Sequence, residues 1–125
     1  MRTIKFRAWD ESQKYMAIQG TPDLETIQSF FFHFCNKTLM QFTGLSDKNG
    51  VEIYEGDILL DVEFDENGND ISGKFPVLYD SNKCQFVIDN SFKKDGSSLV
   101  NLVEYFGVEN LIVIGNIHEN KELLQ

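Results

Sequence analysis

Apolar and polar residues alternate over 3–9, with Ile4, Phe6 and Ala8 on one side and Lys5, Arg7 and Trp9 on the other. That is the two-residue period of a half-buried strand. The polar run 10–14 turns the chain, and Tyr15-Met16-Ala17-Ile18 returns as the second strand of a hairpin that Gly20 ends. Thr21-Pro22-Asp23 has the chemistry of a helix start, with Thr as cap, Pro at the first helical position and an acid in the first turn. The helix is expected to be short, because Phe30-Phe31-Phe32-His33-Phe34-Cys35 is aromatic and strand-favouring, with Phe30, Phe32 and Phe34 on one face. Asn36-Lys37 would turn that strand into 38–42, making a second hairpin.

The stretch 39–60, LMQFTGLSDKNGVEIYEGDILL, organises the rest of the chain. Asn49-Gly50 tolerates positive φ at both residues and predicts a type I′ turn. Glu55-Gly56-Asp57 breaks the chain again, and Ile58-Leu59-Leu60 reads as the buried part of a main strand over 57–64 whose acids Asp61 and Glu63 face water. A polar hairpin loop over 65–70 leads to a strand over 74–79, where Pro76, lacking a donor, implies an edge or a bulge. The run 84–88 returns from the turn at 80–83. Leu99, Leu102, Val103 and Phe106 recur at helical spacing and predict a helix near 98–106, capped by Ser97 or Ser98 and ended by Gly107. Leu111-Ile112-Val113-Ile114 reads as a central strand, and Asn120 as the cap of a last helical turn. The predicted core is Ile4, Phe6, Ile53, Ile58, Leu60, Val77, Phe86, Leu102, Phe106, Ile112 and Ile114.

Composition adds a constraint. The 125 residues are 42% hydrophobic with 11 Phe, enough for a true core in one domain. The formal net charge of -9 disfavours the phosphate backbone as a partner. A local basic and aromatic strip, Arg2, Lys5, Arg7 and Trp9, is the candidate interaction site and supports nucleic-acid binding as the alternative function, although Trp9 taken alone reads first as a residue that covers the barrel rim or packs beneath a loop. No apolar run reaches the ~18 residues of a membrane span, and no signal-peptide pattern succeeds the basic N-terminus.

Candidate chemistry is thin. Cys35 and Cys84 are widely spaced and read as reduced thiols, without zinc spacing. Asp65, Asn67 and Asn69 share the first spacings of a calcium loop, but Asp70 replaces its glycine and Pro76 its bidentate Glu. His33 reads as a packed core-edge residue and His118 as a surface one, neither with a catalytic partner. Glu52, Glu55 and Asp57 cluster without a nucleophile–base pair, so neither an enzyme nor a cofactor is expected.

Three segments carry a resemblance. The opening Met1-Arg2-Thr3-Ile4-Lys5-Phe6-Arg7-Ala8-Trp9-Asp10, the central 39–59 and the close Val113-Ile114-Gly115-Asn116-Ile117-His118-Glu119-Asn120, in this order, resemble the YopX-like phage and prophage proteins. The sequence departs from that pattern at His118, where Tyr is expected, and at Lys121, where Pro is expected. The resemblance implies a mostly β protein: an N-terminal β-hairpin subdomain (1–45) before an SH3-like barrel (46–125), with one or two short helices. It brings no catalytic residue to this chain. With the acidity, it points to a phage or prophage accessory protein in the cytoplasm of a bacterial host, binding a host or phage protein or a second copy of itself. The turn residues Asn49, Gly50, Glu55, Gly56 and Asp57 are given structural roles.

Overall fold

Two antiparallel sheets meet at the glycine turn of the central stretch. The computed structural model describes residues 3–20, 26–34, 37–82, 84–89, 99–101 and 111–124. The first sheet contains β1 (Phe6–Asp10), β2 (Tyr15–Ile18), β3 (Thr38–Ser46) and β4 (Glu52–Tyr54) in the order β2-β1-β3-β4. The second contains β5 (Asp57–Asp61), β6 (Gly73–Asp80), β7 (Gln85–Asp89), β8 (Leu99–Asn101) and β9 (Ile112–Asn116) in the order β8-β7-β6-β5-β9. One sheet curls as a half-barrel. A single α-helix, α1 (Ile27–Phe34), and a 3-10 turn, Lys121–Leu124, complete the described residues. The protein is thus mostly β, as its sequence pattern predicts.

The largest departure is α1. The aromatic run expected as a strand is helical over Ile27–Phe34. Phe30 and Phe34, four residues apart, pack with ring centres 4.7 Å apart and planes tilted by 39°, and Phe30 packs with Ala8 and Ala17 in a core that Phe6, Phe31 and Leu39 border. Phe32, expected beside them, is 79% exposed. The Thr26 hydroxyl caps the start by accepting from Ser29 N–H at 3.1 Å. The expected start at Thr21-Pro22-Asp23 lies outside the described residues. With 27–34 helical, β3 has no hairpin partner there. It pairs instead with β1 on one side and β4 on the other.

The strand pattern of β1 is correct and its facing is not. β1 is covered on both faces, by Phe30 of α1 over Ala8 on one side and by Asp57 and His118 against Arg7 and Trp9 on the other. Arg7 and Trp9, read as the wet side, are buried, whereas Ile4, read as core, precedes the strand and is 44% exposed. The second core joins the two sheets: Ile53 of β4 packs with Leu59, Phe75, Val77, Ile88 and Leu111. Of the other predicted core residues, Ile58 is fully buried, while Phe6, Leu60, Phe86, Ile112 and Ile114 are half-buried. Leu102 and Phe106 lie outside the described residues.

Two further expectations are corrected. Leu99–Asn101 is strand β8, paired antiparallel to β7, not the opening of a helix, and the rest of that predicted helix lies outside the described residues. β9 pairs with β5 only and ends the sheet, so the apolar run at 111–114 is not a central strand. The expected edge at Pro76 is present: the start of β6, residues 73–76, is paired on one side only. The ladders change over there, with β5 pairing to 73–76 and β7 to 77–80, so no β7 carbonyl waits for a Pro76 donor.

The two polar turns share one construction. In DKNGV (47–51), Asp47 Oδ1 accepts from Asn49 N–H and Val51 N–H, both at 2.8 Å. In DENGN (65–69), Asp65 Oδ1 accepts from Asn67 N–H at 2.9 Å and Asn69 N–H at 2.8 Å. Gly50 and Gly68 both adopt φ of +82°, and neither turn has a second positive-φ residue. The turn at Asn49-Gly50 therefore exists, but it is not type I′, which needs two such residues. Asp47 goes further than Asp65: its Oδ2 accepts from Val113 N–H at 2.9 Å, and Lys48 N–H donates to Leu111 O at 3.0 Å. The first turn thereby closes the outer edge of β9.

Candidate functional site

The chain passes between its sheets at Glu55-Gly56, and this joint is tied to four elements. Glu55 N–H donates to Gln41 O of β3, Gly56 N–H to Val77 O of β6, and Ile117 N–H of the tail to Gly56 O, at 2.8–2.9 Å. Arg7 Nη2 of β1 donates to Glu55 O at 3.2 Å. Gly56 has φ of +89°, and a Cβ there would meet Met40 Sδ at 3.0 Å. Both the conformation and the space call for glycine.

Arg7 anchors this joint. Its Nη2 lies 2.8 Å from Asp57 Oδ1, its guanidinium stands 4.8 Å over the Tyr54 ring, and both charged side chains are buried. Asp57 Oδ2 also accepts from Tyr54 N–H at 2.7 Å. Burial pushes the Asp57 carboxyl above its ordinary value, against the pull of Arg7. Burial, helped by Glu52, pushes the Tyr54 phenol up to about 12. Among the described residues, Arg7 Nε and Tyr54 OH have no hydrogen-bond partner. The pair acts as a clamp between sheets, and it is inaccessible to a ligand.

The candidate strip of Lys5, Arg7 and Trp9 is therefore not a surface. Lys5 Nζ pairs with Glu52 Oε1 at 2.7 Å, Arg7 is held in the clamp, and Trp9 is only 3% exposed. Trp9 Nε1–H donates to Glu11 Oε2 at 2.6 Å, and its ring stacks on His118 at 5.8 Å with 18° between planes. Arg2 lies outside the described residues. The reason for the misplacement is that Asp57 and His118, from distant parts of the chain, cover the face that alternation left to solvent.

The Trp9–His118 stack floors an open depression of about 510 Å³, rimmed by Glu11, Lys14, Glu119, Lys121 and Glu122. Lys14 pairs with Glu11 across the hairpin turn, and with Trp9 this holds the Glu11 carboxyl at about 2. Asn116 Oδ1 accepts from His118 N–H and Glu119 N–H, fixing the tail under the ring. Burial, then Arg7, lowers the His118 imidazole below its usual value. His118 is thus half-buried and stacked, while His33, expected to pack, is exposed on α1. Among the described residues no three His, Cys, Asp or Glu side chains converge as metal donors, and no helix is long and apolar enough to cross a membrane.

The second feature is the connection between β5 and β6, residues 62–72. Val62, Phe64 and Ile71 are 51%, 61% and 45% exposed, yet their backbone is ordered by hydrogen bonds. Ile71 N–H donates to Glu63 O at 2.8 Å, Phe64 bridges Asp70, and Asp65 closes the tip. The polarity of 65–70 identifies an exposed hairpin loop but says nothing of the apolar residues beside it. A signal for them is present: Val62 and Phe64 before the polar tip and Ile71 after it are the apolar residues next to an exposed loop.

This mostly β, two-sheet arrangement defines a class of small sheet proteins, and sequence comparison makes it specific. Residues 21–125 match the YopX family, so the chain belongs to the YopX protein family. It is similar to the crystal structure of protein EF1440 from Enterococcus faecalis, with 26% identity, a TM-score of 0.60 and coverage of 100% of each chain. No curated protein matches it.

Proposed function

We propose that the chain is a non-catalytic protein-interaction module, a phage or prophage accessory protein working in the cytoplasm of a bacterial host. We take the curled sheet as the SH3-like barrel that the family resemblance implies; the fold by itself assigns no activity. The observation that carries the reading is the 62–72 connection, where Val62, Phe64 and Ile71 stand in solvent on an ordered backbone. Exposed apolar side chains gathered on one element mark contact surfaces. An enzyme would need a positioned nucleophile or acid–base pair, and the buried charges that are described have structural partners: Arg7 and Asp57 in the clamp, Asp47 on the backbone of its turn and of β9, and Asp10 on the turn after β1.

The test is affinity capture from cells carrying the phage or prophage, with the wild-type chain and Phe64→Ser as parallel baits. A protein enriched by the wild type and lost with Phe64→Ser supports the module. Identical recoveries with the two baits refute it.

A further inference from the structure

We propose that the arm formed by residues 61–73 docks a cationic segment of a partner protein, one that also carries apolar side chains. The inference rests on the interaction-module reading and names the partner chemistry of that same surface.

The arm combines two properties. Val62, Phe64 and Ile71 supply exposed apolar area. Around them the sequence DVEFDENGNDISG places Asp61, Glu63, Asp65, Glu66 and Asp70 with no Lys or Arg. Lys74 comes next, opposite Leu60 in the ladder. Hydrogen bonds from the loop backbone and Asn69 hold the Asp65 carboxyl below its ordinary value, and those from Ser72 do the same for Asp70. The field of the arm is therefore negative throughout the neutral range.

That charge decides among occupants. A second copy of this chain would bring an equally acidic arm against the first, in a protein whose formal net charge is already -9. A nucleic acid would meet the same repulsion. A basic segment is attracted, and its apolar residues cover Phe64 and its neighbours, so charge sets the encounter and burial sets the lifetime. The ordered backbone favours this use, because little loop entropy is lost on docking.

Purified full-length chain is titrated with three labelled peptides of roughly four helical turns each, read by fluorescence anisotropy. One is an amphipathic lysine–leucine peptide, one a lysine–serine peptide and one a glutamate–leucine peptide. The lysine–leucine peptide is expected to bind, and the other two about tenfold more weakly or not at all. Val62→Ser combined with Phe64→Ser should weaken it about tenfold, and Glu66→Lys severalfold, with melting of both variants unchanged. Binding should also fall between about 0.05 M and 0.5 M salt, as the screening length shrinks. Three results overturn the proposal: no binding of the lysine–leucine peptide, equal binding of the lysine–serine peptide, or arm variants that bind like the wild type. A wild-type dimer that dissociates on Val62→Ser with Phe64→Ser would assign the arm to a second copy instead and also overturn it. The module reading fails separately, when capture from cells proves independent of Phe64. An arm-dependent partner captured from cells that presents no basic segment sinks this inference alone.

Discussion

Asp47 and Asp65 build the same turn in two settings, and truncating each measures what docking adds. Asp47→Ala removes acceptors from Asn49 N–H, Val51 N–H and Val113 N–H. Asn49 and Val51 are exposed, so water replaces much of what they lose. Val113 is half-buried on the β9 edge and packs against the main core, so its donor loses its partner with poor access to water. A hydrogen bond to a charged group contributes about 1.5–3 kcal/mol net, and the two exposed bonds add a smaller amount, giving about 3 kcal/mol in all. For a chain of this size that lowers Tm by roughly 10 °C. Asp65→Ala removes the same internal turn bonds on the surface and should shift the melt only slightly. Asn distinguishes the sites further: at 47 its amide would turn a donor toward Val113 N–H, so Asp47→Asn should resemble Asp47→Ala, whereas Asp65→Asn should be nearly silent.

The pH dependence has a definite sign. Burial raises the Asp47 carboxyl, but the bonds from Val113, Val51, Asn49 and Gly50 N–H outweigh it and leave the group below its usual 3.8. A carboxyl depressed in the folded state contributes stability fully above the unfolded value and loses it as pH falls toward the folded one. The gap between wild type and Asp47→Ala should therefore be constant from neutral pH down to about 4 and close below it. Thermal or urea melts at neutral pH and at about pH 3 read both quantities. Equal losses for Asp47→Ala and Asp65→Ala would refute the claim that the first turn locks the edge of β9.

Three further outcomes rest on contacts already described. Gly56→Val should cost about 2 kcal/mol or more in a denaturant melt, from its φ of +89° and the approach to Met40, with Gly56→Asn milder; unchanged melts would show that the joint relaxes freely. Ile58→Ala, at a fully buried position, should cost about 2–5 kcal/mol, while Ile112→Ala, half-buried on an edge strand, should cost less than half of that; a reversed order would mean that β9 is the core strand after all. His118 is lowered from 6.5 by burial and by Arg7, so protonation favours the unfolded chain and stability should fall as pH drops below about 6.5. Trp9, the single Trp, reports that change by fluorescence, and His118→Phe should flatten the profile; an unaltered profile would remove His118 as its source.

The features legible in the sequence are local. The D-x-N-G turns are shaped by an Asp side chain two to four residues from the N–H groups it serves, and the Gly56 break by a positive φ, so a short window contains what makes each turn, although not what it docks against. The aromatic run misleads because its residues fit two periods at once. Phe30 and Phe34 satisfy a helix face as well as a strand face, and what decides is Ala8 and Ala17, whose small side chains leave room for a helix on the sheet. Arg7 and Trp9 mislead for a different reason. Alternation assigns a polar face to solvent, yet Asp57 and His118, each far along the chain, cover that face. The predicted basic strip and the real clamp share Arg7, and the difference lies wholly in contacts that no local pattern encodes. The arm is the converse case. Its apolar residues have no place in a core, and that makes the surplus of Val62, Phe64 and Ile71 the part of the pattern most informative about a partner.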